Sequence, residues 1–373
     1  MKKIRLIAAS SSDSADILYA GGFNAHDPFI YFSSGREKGI IVTTLEFGRA
    51  VNECKKGIKV HNRDELFRKD DNNRDIVFQI LRLAEKFNAS EIEVPYTFPL
   101  GYADFLRSHG LKVSCVKGEF FPERECKKTS EITRIREAMR AAEKGMSRAV
   151  SILKEAGISS KKQLKWKGGI LSSEILRSEI EIEMLRYGGT ASSTIAACGS
   201  ASAEPHNTGR GPIYANKPIV VDIFPRMNAH GYWGDITRTF VKGKAPDIVK
   251  KAFDAVREAR DKSKNAITPG VKASDVYKIA YSILEKRGFP TGRKNGVYYG
   301  FIHSLGHSLG LEIHESPRLS PINEMPLKKG NVLTVEPGVY YPEWGGIRLE
   351  DLVLVKESFS ECITQFETFL EIG

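Results

Sequence analysis

Two stretches of the chain share one pattern, in which an apolar run ends in a carboxylate and a turn then leads to a second carboxylate. The first stretch contains Asp222 and Asp235, and the second contains Glu336 and Glu350. If each stretch forms an antiparallel hairpin centred in its turn, each pair of acids faces across two strands, about 4.5–5.5 Å apart at Cβ. Two anions this close repel each other unless a cation or a shared proton lies between them. The pattern therefore indicates a cation site.

Three histidines, His303, His307 and His314, lie between the two stretches in a glycine-containing segment. Four carboxylates and one imidazole make an oxygen-rich set of ligands that suits manganese, cobalt, iron or zinc, with room for two ions bridged by carboxylates. Two such ions lower the pKa of a shared water and polarise a carbonyl, which is the chemistry of amide hydrolysis. A single acid or histidine has ordinary structural explanations, but the joint pattern would need an unrelated explanation for each residue.

The composition narrows the class of protein. The chain has 373 residues and a formal charge of +10, with its basic residues spread along the sequence and without an aromatic-interleaved basic motif. We therefore expect a solvated basic surface and no nucleic-acid partner. Five scattered cysteines form no CxxC pair, which is typical of reduced thiols in a cytosol. The sequence shows no leader-like start and no run of ~18 apolar residues, so we expect a cytoplasmic protein without a membrane partner.

The elements that must position these residues fall into two domains. Residues 1–126 alternate strands and helices as an α/β domain, and a polar segment then leads into a second domain, residues 127–373. Thr129 or Ser130 is predicted to cap the first helix of that domain, and Ser274 a later one. Further predicted elements are strands at 39–44, 92–94, 111–116 and 232–240 and helices at 74–87, 103–109 and 247–265.

At these residues the chain resembles the pita-bread metallopeptidases, the family of methionine aminopeptidase, aminopeptidase P and prolidase. The resemblance covers residues 129 to 373 and is carried by 221–222 with 234–240, 303–315, 334–338 and 347–351. The N-terminal part resembles the creatinase-like domain of aminopeptidase P and prolidase, which methionine aminopeptidase typically lacks. The implied fold is an α/β creatinase-like domain followed by an α+β pita-bread catalytic domain with pseudo-two-fold symmetry.

The resemblance also implies a role for each candidate residue. Asp235 and Glu350 would bridge two metal ions, with His307 and Glu336 completing one site and Asp222 the other. Glu336 would also accept a proton from the bridging water. The remaining residues would surround the substrate or orient a ligand: His206 would border it, His303 would line the pocket, His314 would lie near the scissile carbonyl, and Arg348 would orient Glu350.

The activity implied is hydrolysis of the bond before proline by a metal-bridging hydroxide, either in Xaa-Pro dipeptides or at the N-terminus of longer peptides. The implied cofactors are two divalent ions, manganese foremost with cobalt, zinc or iron as alternatives, and the implied partners are a proline-containing peptide and a second copy in a homodimer. A dipeptidase needs a cation for the free carboxylate, and Arg293, Lys294 and Arg348 are candidates.

Two alternatives to a peptidase stay open at the level of sequence. One is a non-peptidase of the same fold, either a creatine-hydrolysing or a binding-only relative, and the complete set of ligands counts against both. The other is a basic binding module. The sequence departs from the family in a slightly longer turn between Asp222 and Asp235, in Trp233-Gly234, and in Ser304 and Ser308, which stand where glycine is common.

Overall fold

The computed structural model describes residues 2–67 and 74–373. The contacts within the chain divide it into two compact units, Met1–Pro122 and Glu123–Gly373. The boundary after residue 126 stays a prediction. None of the helices in the described ranges is both long enough and apolar enough to cross a membrane.

The first unit is built around a six-stranded mixed sheet in the order β4-β3-β2-β1-β5-β6. Helices cover a core that includes Leu6, Phe32 and Leu83. The predicted strands and helices of this unit are confirmed to within a few residues. Its elements are β1 Lys2–Ala9, α1 Ala15–Gly21, β2 Phe29–Ser34, β3 Glu37–Val42, α2 Thr44–Glu53, β4 Lys59–Asn62, a 3-10 turn Arg63–Leu66, α3 Ile76–Phe87, β5 Ala89–Val94, α4 Leu100–Ser108 and β6 Lys112–Cys115.

The second unit mixes four helices with short strands. Its elements are α5 Thr129–Glu155, β7 Gly157–Ile158, β8 Leu164–Trp166, β9 Gly169–Ile170, α6 Ser173–Arg186, β10 Gly189–Thr190, β11 Ile195–Cys198, β12 Ile219–Ile223, β13 Arg226–Met227, β14 Ile236–Lys242, α7 Asp247–Ala266, α8 Ala273–Lys286, β15 Gly292–Lys294, β16 Val297–Tyr299, β17 Gly306–Ser308, β18 Glu315–Leu319, β19 Val332–Val335, β20 Gly338–Tyr341, β21 Gly345–Arg348, β22 Asp351–Val355, β23 Ser360–Cys362 and β24 Glu371–Ile372. Two further 3-10 turns are Pro122–Glu125 and Gly199–Ala203.

One arrangement occurs twice in this unit, a helix pair against a mainly antiparallel sheet. Helices α5 and α6 contact each other and the sheet β11-β12-β14-β24, whereas α7 and α8 contact each other and the sheet β18-β17-β19-β22-β23. Phe253, Val276 and Leu333 belong to the core between the second helix pair and its sheet. This repeat is what the predicted pseudo-two-fold symmetry requires.

The predicted register of the first hairpin is wrong by two residues. Asp222 pairs with Thr237, and Asp235 lies just before β14. The reason is that β13 leaves the hairpin to pair with β10, and Arg226 bridges to Trp233, which lengthens the connection. A shift by an even number of residues keeps every side chain on its original face of the sheet, so Asp222 still points towards the predicted site.

The predicted register of the second hairpin is confirmed. Val335 pairs with Asp351 on one side of the acids, and Gly338 pairs with Arg348 on the other. This register leaves Glu336 opposite Glu350. Pro337 interrupts the ladder between them without shifting it, since a proline removes one donor but keeps the extended backbone.

Two of the predicted helix caps are wrong by one or two residues. Helix α5 begins at Thr129 with Lys128 as its N-cap, whose N–H donates to the Glu131 carboxylate at 2.9 Å. Ser274 lies inside α8, and its hydroxyl donates to Glu324 at 3.0 Å. The predicted start of α7 after Pro246 is confirmed.

Candidate metal centre

A cavity of about 340 Å³ opens in the second unit between the two sheets. All nine of the predicted metal-ligand and catalytic residues line it: His206, Asp222, Asp235, His303, His307, His314, Glu336, Arg348 and Glu350. The remaining lining residues are Ser193, Ile195, Pro205, Phe224, Ser304, Ile313 and Arg318. Residues that are far apart in the sequence therefore meet at one place.

The acids reach the cavity because they stand at the ends of buried strands. Asp222 lies in β12, Glu336 directly follows β19, and Glu350 directly precedes β22. Asp235 precedes β14 and is held against helix α5, where its N–H contacts the sulfur of Met139 at 3.2 Å. The neighbouring Gly234 allows this approach, since a Cβ there would lie 2.6 Å from the backbone of Ala138.

The ligand atoms of this group are close enough to share a cation. One potential ligand atom from each of Asp235, His307 and Glu350 lies within 4.8 Å of the other two. The Nε2 atom of His307 is 3.7 Å from Asp235 Oδ2 and 3.3 Å from Glu336 Oε1. Asp235, His307 and Glu350 are almost fully buried, and Glu336 is partly exposed. This is the mixture of one nitrogen and several oxygen donors that divalent transition metals bind.

Hydrogen bonds orient these candidate ligands. His307 Nδ1 lies 3.1 Å from the carbonyl of Ser308, to which it can only donate, so the lone pair of the neutral ring is on Nε2 and points into the cavity. Thr237 donates to Glu350 Oε2 at 2.8 Å. Asp222 accepts from Arg348 through Oδ2 at 2.7 Å, whereas its Oδ1 is buried and has no hydrogen-bond partner among the described residues. A buried carboxylate oxygen without a donor suits a cation at this point.

The electrostatics of the acids favour the same interpretation. Burial and the neighbouring carboxylates raise the pKa of Asp235 and of Glu350 well above their ordinary values. Burial opposes ionisation of Glu336 as well, but His307, His303 and Arg348 lower its pKa to about 2. Without a cation, some of these acids hold protons at neutral pH. The described residues therefore fit a divalent cation that would take the place of those protons.

Removing the cation should make stability depend on pH. Because the pKa of Asp235 and of Glu350 is raised, the metal-free native state binds more protons than the unfolded state, so its free energy of unfolding falls as the pH rises. A bound divalent cation would offset this loss by neutralising the ionised carboxylates. We expect the gap in melting temperature between manganese-loaded and chelator-treated protein to widen from about pH 5 to about pH 8. A gap that stays constant over this range in fluorimetry would contradict the prediction.

Arg348 connects the first hairpin to the second. Its guanidinium donates to Asp222 and, at 2.8 Å, to the hydroxyl of Tyr340, and its Nε donates to Thr237 at 3.2 Å. Since Thr237 in turn donates to Glu350, Arg348 reaches that acid through the threonine. Its predicted role in orienting Glu350 would therefore be indirect.

The other histidines occupy different positions around the cavity. His303 lies 2.9 Å from the Tyr340 hydroxyl through Nε2. His314 packs edge-on against His307, with ring centroids 4.4 Å apart, and burial together with His307 and Arg318 lowers its pKa to about 4. His314 is therefore a neutral hydrogen-bond donor at neutral pH. His206 lines the cavity with an exposed side chain.

Thr237, Tyr340 and Arg318 were not predicted from the sequence. Thr237 hydrogen-bonds to Glu350, and Tyr340 hydrogen-bonds to Arg348. Arg318 lines the cavity and lies directly opposite His307 in the β17–β18 register. Alternation along a strand could have indicated Thr237, two residues after Asp235. Nothing local indicates Arg318, because its position depends on pairing between two strands.

Comparison with known proteins then supplies the family. The sequence model of metallopeptidase family M24 matches residues 133–357. The chain belongs to metallopeptidase family M24. The resemblance stated from the sequence is thereby confirmed, and membership of M24 implies divalent metal ions.

Curated relatives of this M24 chain include an Xaa-Pro dipeptidase of Pyrococcus furiosus, which is 40% identical over 174 residues. That segment covers 47% of this chain and 47% of the relative, so the match spans about half of the relative's length. An uncharacterised peptidase of Staphylococcus epidermidis is 34% identical over 65% of this chain and 64% of its own.

Solved structures similar to this M24 chain cover nearly all of it. The prolidase of Pyrococcus furiosus superposes with a TM-score of 0.78 at 27% identity, over 98% of this chain and 96% of that chain. An X-Pro aminopeptidase of Thermotoga maritima gives a TM-score of 0.84 at 24% identity, over 100% and 98%. At 24% identity, the likeness to the aminopeptidase shows the fold alone. The two-domain architecture with a pita-bread second domain is therefore confirmed.

Proposed function

We propose that this M24 protein is a dinuclear metallopeptidase that hydrolyses the bond before proline, with Xaa-Pro dipeptides as its substrates. The observation that carries the proposal is the convergence of four carboxylates and one imidazole in one cavity. In the proposed arrangement Asp235 and Glu350 would be shared by two ions, His307 and Glu336 would help to hold one of them, and Asp222 would help to hold the other. The oxygen-rich set of ligands favours manganese, with cobalt, zinc or iron as alternatives.

The chain's own side chains would carry the other parts of the reaction. Two divalent ions, when bound, would lower the pKa of a water between them and polarise the scissile carbonyl. Glu336, ionised at neutral pH, accepts a proton from the attacking water. His314, neutral at that pH, donates an N–H to the carbonyl oxygen as negative charge develops there. His206 and His303 border the substrate.

The wall of the cavity suits a proline ring. Ile195, Phe224 and Ile313 supply apolar surface beside the ligands. A proline at the substrate's second position has no amide hydrogen that such a wall would leave unpaired. A peptide bond to a residue other than proline would bring an N–H without a polar partner on this wall.

Arg318 favours dipeptides over longer peptides. Its exposed side chain lines the cavity, and it forms no ion pair with the residues that the structure describes. By contrast, the guanidinium of Arg348 is paired with Asp222, and Arg293 and Lys294 lie on an exposed hairpin that does not line the cavity. An unpaired guanidinium at the rim is suited to the free carboxylate of a dipeptide.

An aminopeptidase that removes the first residue of longer peptides is the second candidate, and it needs no cation at Arg318. The deciding experiment compares an Xaa-Pro dipeptide with an Xaa-Pro-Yaa tripeptide in manganese and in cobalt. We expect at least tenfold higher kcat/KM for the dipeptide, and loss of activity on chelation. Preference for the tripeptide would favour the aminopeptidase. Cleavage of neither peptide would contradict the proposal and favour a non-peptidase of this fold.

Two further parts of the proposal concern the whole protein. A homodimer is supported by the family resemblance, and sedimentation velocity at micromolar concentration would test it. A cytoplasmic location is supported by the five cysteines, all of which are free thiols.

A further inference from the structure

A buried cluster of three charges lies in the second unit but does not line the cavity. Lys127 Nζ is 2.7 Å from Glu315 Oε2, and Arg124 Nη2 is 2.6 Å from Glu315 Oε1. The side chains of Lys127 and Glu315 are 1% and 7% exposed. Burial raises the pKa of Glu315, but the two cations more than offset it, so that its pKa is lowered and it is ionised. The described mechanism uses none of these groups.

Glu315 holds the turn that presents His314. Its Oε1 accepts the N–H groups of Leu311 at 2.9 Å and Glu312 at 3.1 Å. Gly310 permits this contact, since a Cβ there would lie 2.8 Å from both carboxylate oxygens. The turn runs directly into His314, which lines the cavity. The carboxylate that fixes the turn is itself fixed by Lys127 and Arg124.

Lys127 also contacts the segment that carries His307. Its Nζ donates to the hydroxyl of Ser308 at 3.3 Å, and the carbonyl of the same serine accepts from His307 Nδ1. Ser308 stands where glycine is common in the family, so the hydroxyl is a feature of this chain. One ammonium group therefore connects the strand that carries His307 with the turn that carries His314.

Stability alone gives a weak reason for such a cluster. Burying ions costs several kcal/mol, and apolar residues of similar volume often replace a buried ion pair without loss of stability. What an apolar cluster could not do is hold two backbone N–H groups of the turn at fixed positions. The geometry therefore favours a role in placing His314 over a role in general stability.

We propose that Lys127 is a positioning residue for His314: through Glu315 it fixes the 310–315 turn so that the imidazole meets the scissile carbonyl. The proposal rests on the proposed function, because that function gives His314 its role at the carbonyl. The distance from His314 to the reacting carbonyl matters because small misplacements of a catalytic group reduce rates strongly.

A double-mutant cycle with Lys127→Met and His314→Ala tests the proposal. We expect Lys127→Met to lower kcat by about tenfold with little change in KM, as for the loss of one orienting contact. In the His314→Ala background the same change should lower kcat by less than twofold, because the group that it positions is already absent. Lys128→Met, the same change at the exposed neighbouring lysine, is the matched control and should leave kcat unchanged.

A measurement that does not depend on catalytic activity tests this proposal separately from the proposed function. Hydrogen exchange of the Leu311 and Glu312 amides should be faster in Lys127→Met than in the wild type or in Lys128→Met. Manganese content should stay the same in all three. If His314→Ala alone leaves kcat unchanged while exchange accelerates, the proposed role of His314 fails but the turn is still held by Lys127.

Three results would overturn the proposal: unchanged exchange, additive effects in the cycle, or loss of manganese from Lys127→Met. If that variant does not fold, Lys127→Met combined with Glu315→Gln removes both charges of the buried Lys127–Glu315 pair, and Arg124 keeps Glu312 as a partner at 2.7 Å. This pair of changes should reproduce the faster exchange and the tenfold loss of kcat. Wild-type behaviour of the pair would also overturn the proposal.

Discussion

Replacing Glu350 by glutamine should abolish most of the activity and, at the same time, make the metal-free protein more stable. Glutamine is nearly isosteric and can still accept the hydrogen bond from Thr237. It cannot supply the negative charge with which Glu350 would bridge two cations in the proposed site. We expect kcat/KM to fall by roughly a thousandfold, which corresponds to about 4 kcal/mol of lost transition-state stabilisation.

The expected gain in stability of the metal-free variant follows from loss of the Glu350 carboxylate charge. Burial and the carboxylates of Glu336 and Asp222 raise the pKa of Glu350, so its ionised form is unfavourable in the metal-free native state. Removing it should raise the melting temperature of chelated protein by a few degrees, equivalent to about 1 kcal/mol. With manganese the order should reverse, because the wild type binds the metal more tightly.

The measurements are steady-state kinetics, metal content, and melting with and without chelator. Glu343→Gln, the same change at an exposed acid of the second unit, is the control and should alter none of them. Activity retained within tenfold would contradict the assignment of Glu350 as a bridging ligand. A lower melting temperature for the chelated variant would contradict the electrostatic argument.

Asp222 and Glu336 were predictable because each combines two local signals, a run of apolar residues and a carboxylate at its end, and Asp235 and Glu350 followed as their partners across the turns. Such a run must be buried, and a carboxylate carried into the interior needs a partner. The register of the Glu336–Glu350 hairpin was also predictable, since its strands pair with each other on both sides of Pro337. The resemblance added the role of each residue.

The register of the first hairpin was not predictable from its own sequence. Arg226–Met227 pairs with Gly189–Thr190, a segment more than thirty residues earlier, and this pairing lengthens the turn. Arg318 was missed for a similar reason, because it reaches the cavity only through pairing of its strand with that of His307. Contacts set by distant segments leave no periodic signal in a single sequence.

The adjacent acids Glu350 and Asp351 have opposite electrostatic surroundings, which the sequence alone does not show. Glu350 faces the other carboxylates, and its pKa is raised, whereas Asp351 faces Arg238, Arg260 and Lys264, and its pKa is lowered despite burial. In a strand, successive side chains point to opposite faces, so one acid enters the cavity and the next enters a cluster of cations. The predicted register of the second hairpin selected Glu350, and the observed pairing confirms that choice.

Replacing Arg318 by alanine should convert the preference for dipeptides into indifference to the substrate's C-terminus. If its guanidinium binds the free carboxylate, the variant should lose about 1.5–3 kcal/mol of binding, or roughly 10–100-fold in KM, for an Xaa-Pro dipeptide. The kcat at saturation should change little, since the contact is made equally in the ground state and the transition state.

The substrate supplies the sharpest control for this prediction. The amide of the same dipeptide lacks the carboxylate charge, so wild type and Arg318→Ala should bind it equally weakly. Arg293→Ala, at an exposed arginine outside the cavity, should leave both substrates unaffected. An exposed ion pair is screened by salt, so the wild-type advantage should also shrink between about 0.05 and 1 M salt. If Arg318→Ala weakened binding of the amide as strongly as binding of the free dipeptide, the arginine would act through the shape of the cavity rim and not through its charge. That result would contradict the proposed preference for dipeptides and favour the aminopeptidase.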